Sequence, residues 1–356
     1  MAAEAPAGFL GPGRRVCVVC LGGLGDAVWG MPVVNALKQA DPGCRITWIV
    51  EPLGAPLLEG HPSVDETIVF HRRRGWRGVL DLWRRLRDRR FDVTLNLYHL
   101  GKSIPPTLLS GAPRRIGFDR GRTRDWVWLA SSERIPPAPR RHVQDHFLEF
   151  VDYLGVRDYR VEWRLAPSDA ERQAQAEFFA PLRDRPVVAL VPSSSKASKD
   201  WPAERYAEVV DALEHDFGFR TVLVGGPGER EGRAAREIAS RASAEPVWAL
   251  GDGVRRLVWL LGGSDLVIAP DTGPTHIARA MEVPVIGLYG HTNPLRVGPY
   301  RRFEELWVDR YTDPGETPDA SHAHAKQGRM ERITVRDVLE RVERAARRYL
   351  PAGRPR

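Results

Sequence analysis

Short apolar runs alternate with amphipathic stretches along the first half of the chain. RRVCVVCL, RITWIV, ETIVF and DVTLNLY are each short enough for a buried strand. Stretches between them, such as VWGMPVVNALKQA and GVLDLWRRLRDRR, carry apolar residues at helical spacing. Strands separated by helices of this length indicate a parallel, doubly wound α/β sheet.

The same alternation restarts after a polar connection that extends from about Val156 to Arg185. From Pro186 onward PVVALVP, RTVLVGG, PVWAL, LVIAP and VPVIGLYG read as strands, with helices between them. The restart predicts two Rossmann-like sheets in tandem, which suits a chain of 356 residues. The predicted parts are a disordered N-terminus at 1–13, a first domain at 14–165, a second domain at 166–333 and an amphipathic C-terminal helix within 334–356.

The densest set of polar groups lies around the last two of these strands. Parallel strands joined by a helix place both following turns at the carboxyl edge of a sheet, where ligands bind in open α/β folds. Asp271 could bind sugar hydroxyls, whereas His276 either bonds a phosphate or simply packs. The crevice predicted here is lined by Asp271, Thr272, Gly273, His276, His291, Thr292 and Asn293.

The first strand is followed by the glycine-rich turn GGLGDA. Gly23 and Gly25 allow the backbone to come close to a ligand at a helix N-terminus. Asp26 stands at the start of that helix, and two interpretations stay open: an N-cap, or a general base that faces a cleft. The turn is not a dinucleotide fingerprint, because the position of its last glycine holds Val28.

Two turns of the second half carry charge. SSSKASKDWP supplies Ser194, Ser195, Lys196 and Lys199, which suit a phosphate or diphosphate, although a solvated helix-capping loop would look the same. It lacks the Walker A pattern. Glu229 opens a helix after VGGPG, where it either favours the helix dipole or accepts hydrogen bonds from ribose hydroxyls.

Composition narrows the class of protein. With 42% hydrophobic and 28% charged residues, the chain is typical of a soluble globular protein, and a net charge of +7 favours acidic partners. Nine arginines between Arg72 and Arg90 are either solvated helix faces or a surface that rests on a membrane. The cysteines are too few for a disulfide framework, and we expect buried thiols in a reducing compartment. We predict neither a signal peptide nor a membrane span, and no metal at His322 and His324.

Together and in this order, the four turns resemble those of glycosyltransferase family 9, the heptosyltransferase-like enzymes of lipopolysaccharide core assembly. The resemblance covers about Arg14 to Leu350 and rests on LGGLGDAVWGMPVVNALKQADPG, PSSSKASKDWPAERYAEV, VLVGGPGERE and DTGPTHIARAMEVPVIGLYGHTNPLRVGPY. It implies a GT-B fold, in which two Rossmann-like domains face a cleft and the C-terminal helix crosses back to the first domain. The first domain would bind the acceptor and the second the nucleotide-sugar.

The resemblance also implies an activity and roles for residues. The reaction would be an inverting, metal-independent transfer of a sugar, by default heptose from ADP-heptose, to a lipopolysaccharide-core or related acceptor. Asp26 matches the general base, and Glu229 matches a residue near the ribose. The phosphate and donor-sugar contacts match Ser194, Ser195, Lys199, Asp271, Thr272, Gly273 and His276, with Lys199 stabilising the leaving group. We expect Arg114 and Arg115, with Gly23 and Gly25, to bind an anionic acceptor.

Three departures from the family leave the donor sugar and the acceptor open: Gly22 and Gly23 where many members have hydroxyl residues, Trp29, and a Ser-Ser pair where Thr-Thr is common. One rival is a sugar-nucleotide epimerase or hydrolase, and another is a non-catalytic nucleotide-sugar-binding protein. Val28 disfavours an NAD-dependent dehydrogenase. We further predict a cytoplasmic monomer without cofactors or nucleic-acid partners, and peripheral contact with the inner membrane is an open alternative.

Overall fold

The computed structural model describes residues 13–251 and 253–350. The chain divides into two compact units, with the division after Leu165, and the short segment Arg140–His142 belongs with the second unit. The predicted disordered N-terminus lies, apart from Gly13, outside the described residues.

The first unit is built on a six-stranded parallel sheet with the order β3-β2-β1-β4-β5-β6. Its strands are β1 (Arg15–Val19), β2 (Arg45–Val50), β3 (Glu66–Val69), β4 (Val93–Asn96), β5 (Arg114–Gly117) and β6 (Glu133–Arg134). β1 lies in the middle and pairs in parallel with both β2 and β4. Its apolar side chains are fully buried, as a strand covered on both faces requires.

The second unit repeats this plan with the order β12-β11-β10-β7-β8-β9. Its strands are β7 (Val187–Leu190), β8 (Arg220–Gly225), β9 (Val247–Leu250), β10 (Leu266–Pro270), β11 (Val285–Tyr289) and β12 (Val308–Asp309). Numbered within each unit, both sheets have the Rossmann order 3-2-1-4-5-6. The predicted pair of Rossmann-like parallel sheets is therefore confirmed, whereas the two-residue strands β6 and β12 were not predicted.

The helices connect the strands and cover the sheets. They are α1 (Leu24–Ala40), α2 (Trp76–Leu86), α3 (Ile104–Leu109), α4 (Val143–Tyr153), α5 (Asp169–Phe179), α6 (Ala203–His215), α7 (Glu229–Arg241), α8 (Gly253–Gly263), α9 (Gly273–Ala280), α10 (Pro294–Val297) and α11 (Val335–Tyr349). Between them lie short 3₁₀ turns, including 55–58.

The C-terminal helix α11 begins with a capping box. The Thr334 hydroxyl accepts a hydrogen bond from the Asp337 amide, and the Asp337 carboxylate accepts one from the Thr334 amide. The helix belongs to the second unit and packs against α6 and the 3₁₀ turn 304–306. Its packing on the first domain stays a prediction.

The three cysteines are free and buried, as predicted. Burial raises the pKa of the Cys17 thiol to about 12, and the pKa of the Cys20 thiol is raised by the same cause. These thiols therefore stay protonated at neutral pH, which agrees with a packing role for the C-x-x-C pair. Over the described part of the chain, no helix has the length and apolar character that a membrane crossing needs.

Candidate active site

Asp271 lies at the centre of a polar cluster at the carboxyl edge of the second sheet. It follows β10 directly, and only 7% of its side chain is exposed. The Lys199 ammonium, from the loop after β7, is 2.5 Å from Asp271 Oδ2, and the Thr292 hydroxyl, after β11, donates to the same oxygen at 2.8 Å. His276 Nε2 is 3.8 Å from Oδ1. Residues from three neighbouring turns thus meet at one carboxylate.

The surroundings of Asp271 favour its ionised form. Burial raises the pKa of its carboxyl, but the nearby His276 side chain and the charge of Lys199 outweigh burial and hold the pKa well below its usual range. Helix α9 begins at Gly273 with Thr272 as its N-cap, and Thr272 makes no side-chain cap hydrogen bond. The predicted residues Asp271, Thr272, Gly273 and His276 are therefore brought together with Lys199.

The loop after β7 is braced from within. The Ser194 amide donates to Asp200 Oδ1 at 2.7 Å, and the Ser194 hydroxyl donates to the Lys196 carbonyl at 2.8 Å. Arg230, near the start of α7, forms an ion pair with Asp200 and donates to the Ser194 carbonyl at 2.9 Å. Ser194 therefore shapes the loop, while Ser195 and Lys196 are exposed on it.

Asp200 and Arg230 were missed by the sequence analysis. Asp200 ends a loop otherwise noted for its lysines. Arg230 is a cation in the first turn of a helix, where the dipole disfavours positive charge. A cation at such a position indicates that a carboxylate outside the helix pairs with it, and from this indication the Asp200–Arg230 pair could have been predicted.

Glu229 lies at the first position of α7. Its carboxylate pairs with Arg233 one turn later at 3.0 Å, and 84% of its side chain is exposed. These contacts match the helix-start interpretation of the sequence. Contact between Glu229 and a ribose stays a prediction.

The turn after β11 is tied to the loop 319–326. The Asn293 amide donates to the carbonyls of Asp319 and His322 at 2.8 and 3.0 Å, and His291 Nδ1 lies 3.1 Å from the Lys326 carbonyl. The His324 carbonyl accepts from the Tyr311 hydroxyl. Within residues 13–251 and 253–350, no three His, Cys, Asp or Glu side chains form a group that could hold a metal ion. The absence of a metal requirement remains a prediction.

Asp26 lies at the carboxyl edge of the first sheet, in the first turn of α1. The Gly23 amide donates to Asp26 Oδ2 at 2.9 Å, so Asp26 closes a capping box as the third helical residue. The N-cap itself is Gly23, three positions earlier, so the N-cap interpretation of Asp26 is wrong, and its alternative, the general base, stays a prediction. A Cβ at position 22 would lie 1.9 Å from Oδ2, so only glycine fits beside this carboxylate.

A second polar group lies at the same edge of the first sheet. The Lys102 ammonium donates to Glu51 Oε2 at 2.8 Å and to the Leu21 carbonyl, and it lies 4.7 Å from the centre of the Tyr98 ring. Arg72 donates to the other oxygen of Glu51 at 2.8 Å. Burial raises the pKa of the Glu51 carboxyl, but the hydrogen bonds from these two cations outweigh burial and lower it.

These residues are linked electrostatically to Asp26. Burial raises the pKa of the Tyr98 phenol, and the charge of Asp26 raises it further. Lys102 was not among the predicted site residues. The signal that could have found it is its place after the fourth strand, next to the first in the Rossmann order.

Arg114 and Arg115 do not lie with Asp26. They begin β5, at the amino edge of a parallel sheet, whereas Asp26 follows the carboxyl edge. Arg114 forms a bidentate pair with Glu133 at 2.7 and 2.8 Å, and Arg115 donates to the carbonyls of Ala130 and Ala112. Of the residues predicted to bind the acceptor, only Gly23 and Gly25 therefore lie beside Asp26, and acceptor binding by any of the four stays a prediction.

Comparison with known proteins gives the family. The family model described as Glycosyltransferase family 9 (heptosyltransferase) matches residues 79–317. The chain is 33% identical to the lipopolysaccharide core heptosyltransferase OpsX of Haemophilus influenzae over 294 residues, which are 82% of this chain and 84% of that protein. It is 29% identical to lipopolysaccharide heptosyltransferase 1 of Pseudomonas aeruginosa over 309 residues, or 81% and 82% of the two chains.

Solved structures agree on the fold. A family 9 glycosyl transferase from Veillonella parvula matches with a TM-score of 0.79 at 22% identity, covering 95% of this chain and 98% of that one. ADP-heptose LPS heptosyltransferase II of E. coli matches with a TM-score of 0.72 at 20% identity, covering 95% and 100%. The predicted GT-B fold is confirmed, and the rival functions gain no support. The chain belongs to glycosyltransferase family 9, the heptosyltransferase family, and is an enzyme of that type.

Proposed function

We propose that this enzyme transfers heptose from ADP-heptose to a lipopolysaccharide-core acceptor, with inversion at the anomeric carbon and without a metal ion. The names of its relatives support the sugar and the acceptor class. The solved structures of E. coli heptosyltransferase WaaC with ADP and with ADP-2-deoxy-2-fluoro heptose, whose fold it shares, support the donor. The observation that carries the proposal is the Asp271–Lys199 pair at the carboxyl edge of the second sheet.

The second unit provides the donor site. Asp271 accepts hydrogen bonds from hydroxyls of the donor sugar, and the N-terminal turn of α9 at Thr272 and Gly273 approaches the diphosphate. When the diphosphate binds, Lys199 turns from Asp271 toward it and stabilises the charge that grows on the leaving group. Ser195 and Lys196 add exposed polar groups on the same loop. In this scheme Glu229 lies near the ribose and His276 stays with Asp271.

The first unit provides the base. An acceptor hydroxyl oxygen attacks the anomeric carbon from the face opposite the diphosphate, and its proton passes to the Asp26 carboxylate. The bond between that carbon and the diphosphate oxygen breaks, and ADP leaves with the electron pair. Asp26 then returns the proton to solvent. Because Gly22 has no side chain, it leaves room for the Asp26 carboxylate. Lys102 supplies positive charge at the same edge of the sheet.

The test uses purified enzyme with ADP-heptose and an inner-core acceptor that lacks heptose. Mass spectrometry should show one added heptose per acceptor, and NMR of the product should show the inverted anomeric configuration. Full activity in EDTA is expected. Conversion of the donor without acceptor would identify an epimerase or hydrolase instead, and would overturn the proposal.

Donor selectivity is measured separately by thermal shift with ADP, UDP and GDP. A nucleotide present at 100 times its Kd adds about 2.7 kcal/mol of stability. We expect the largest shift with ADP. A larger shift with UDP or GDP would contradict the proposed donor while leaving glycosyl transfer intact. We further place the enzyme in the cytoplasm, a compartment that suits its free thiols.

A further inference from the structure

The exposed large apolar side chains are concentrated on one part of the first unit. Among the described residues they are Leu53, Trp76, Trp83, Leu108, Trp126, Leu129 and Trp248. Five of the seven belong to α2, to α3 or to the segment 126–130. Trp76 is 71% exposed and Trp126 is 66% exposed. Apolar side chains gathered in this way mark an interaction surface more often than scattered ones do.

The topology places these three elements in one layer. From β3 the chain returns across the sheet through β4, β5 and β6, so right-handed crossovers put α2, α3 and the 3₁₀ turn 127–130 on the same face. α2 contacts α3, and α3 contacts the turn 127–130. Leu82 and Leu86 on the inner side of α2 pack into the core with Leu21. The outer side of this layer, which we name the tryptophan face, comprises Trp76, Trp83, Leu108, Trp126 and Leu129.

Arginines surround the tryptophan face. Arg77 lies 5.6 Å from the Trp76 ring centre and Arg87 lies 5.5 Å from that of Trp83. Residues 72–90 contain nine arginines and only two aspartates. In the part of the chain that the structure describes, no carboxylate forms an ion pair with Arg73, Arg77 or Arg85. The face thus combines indole rings, aliphatic side chains and uncompensated positive charge.

We propose that the tryptophan face docks on the surface of an anionic lipid bilayer. Tryptophan is enriched at the headgroup level of membranes, and each arginine near an anionic surface adds attraction. Leu108 and Leu129 favour lipid over nucleic acid, because aliphatic side chains gain little from phosphates or base edges. The inference deepens the proposed function, on which it rests for its biological meaning, since a lipid-linked acceptor would be held in such a bilayer.

The experiment is cosedimentation of the full chain with vesicles that contain neither donor nor acceptor. We expect binding to mixed phosphatidylethanolamine–phosphatidylglycerol vesicles, with a blue shift of tryptophan emission and quenching by brominated lipid, and at least tenfold weaker binding to phosphatidylcholine. The double variant Trp76→Ser/Trp83→Ser should bind about tenfold less. Trp248→Ser, which changes a tryptophan 46% exposed on the second unit, should bind like the parent.

Charge is tested with the double variant Arg73→Glu/Arg77→Glu, whose binding should fall about tenfold or more. Arg336→Glu on α11, where 88% of the side chain is exposed, is the control for a charge reversal elsewhere and should have little effect. Thermal unfolding checks that every variant is folded. A variant that unfolds is replaced by Leu129→Ser, which removes an exposed side chain from the same face.

Two activity measurements separate this inference from the proposed function. With a delipidated, soluble acceptor the tryptophan variant should match the parent in kcat and KM. With the acceptor embedded in vesicles only its apparent KM should rise. The inference would be overturned by equal binding to both kinds of vesicle or by unchanged binding of the variants. It would also be overturned if sedimentation without lipid showed that a second copy of the chain or a nucleic acid covers the tryptophan face. Vesicle binding by an enzyme that transfers no heptose would overturn the proposed function alone.

Discussion

The two sheets have the same strand order, yet their carboxyl edges carry opposite arrangements of the same two residue types. In the second unit a lysine follows the first strand and an aspartate follows the fourth, and Lys199 and Asp271 form an ion pair. In the first unit an aspartate, Asp26, follows the first strand and Lys102 follows the fourth. In the first unit Lys102 forms its ion pair with Glu51, which lies at the end of the second strand.

The difference shows how one fold can hold the same two residue types in different surroundings. In the second unit Lys199 neutralises the buried Asp271 carboxylate. In the proposed function the diphosphate would therefore compete with Asp271 for Lys199. In the first unit Glu51 holds the lysine, and Asp26 is only half-buried. In the proposed function, charge stabilisation belongs to the edge with Lys199 and proton transfer to the edge with Asp26.

The strongest test of the comparison is Asp26→Asn. If Asp26 is the base, initial rates of transfer should fall by about 10³-fold, within the 10²–10⁴ range of general-base catalysis. The control Asp337→Asn makes the same change at the same capping-box position of α11, and it should keep full activity. Equal losses in the two variants would show that Asp26 acts only through the helix.

Gly22→Ala should reduce transfer by roughly 10²-fold while leaving ADP binding unchanged. The new methyl group would occupy the place of the Asp26 carboxylate and displace it. Rates and a thermal shift with ADP are measured together, with Gly232→Ala in α7 as a glycine control outside the site. Full activity in Gly22→Ala would contradict the position given to the base.

Lys199→Met and Lys102→Met compare the two edges directly. Lys199→Met leaves Asp271 without its cation and should cost about 2–3 kcal/mol of unfolding free energy, less than a fully buried pair because Thr292 still donates. Lys102→Met should cost only about 1 kcal/mol, since Arg72 still pairs with Glu51. Denaturant unfolding gives both values. Adding Asp271→Asn to Lys199→Met should restore the unfolding free energy but not the transfer activity. A larger loss of unfolding free energy in Lys102→Met than in Lys199→Met would contradict the comparison of the two edges.

The smallest expected effect is the change in the free energy of unfolding at acidic pH. Because the pKa of Asp271 is lower in the folded protein than in the unfolded chain, its contribution to stability is present above about pH 4 and is lost as the pH falls further. Each proton taken up costs at most about 1.4 kcal/mol per pH unit. Unfolding free energies between pH 7 and pH 3 should therefore fall less steeply for Asp271→Asn than for the parent. If the unfolding free energies of the two proteins fell equally between pH 7 and pH 3, Asp271 would not be held ionised by the fold.

The sequence predicted the parts of the fold that have a local signal. Buried strands such as β1, with four consecutive apolar residues, and β10, with five, are apolar runs, and the helices between the strands have clear periodicity. The strands β6 and β12 escaped because two residues show no alternation. Asp26 and Asp271 were singled out because each belongs to a polar stretch that follows such a strand, and their roles stay predictions.

Long-range partners had no local signal. Glu51 and Lys102 lie 51 positions apart and meet only because strand order places the ends of β2, β1 and β4 side by side. Arg114 was placed with the acceptor because charge does not reveal at which edge of a sheet a residue lies. Its partner Glu133 is 19 positions away on the neighbouring strand. Strand order, which a sequence encodes only through the whole fold, decided these contacts.

The short outer strands β6 and β12 have a consequence for the behaviour of the protein in concentrated solution. Each ends its sheet with two residues, and both contain a charged side chain, Glu133 and Arg134 in β6 and Asp309 in β12. So few backbone amides and carbonyls cannot template a strand from another molecule, and charge further opposes such growth. Edge-to-edge aggregation is therefore disfavoured at the β6 edge of the first sheet and at the β12 edge of the second.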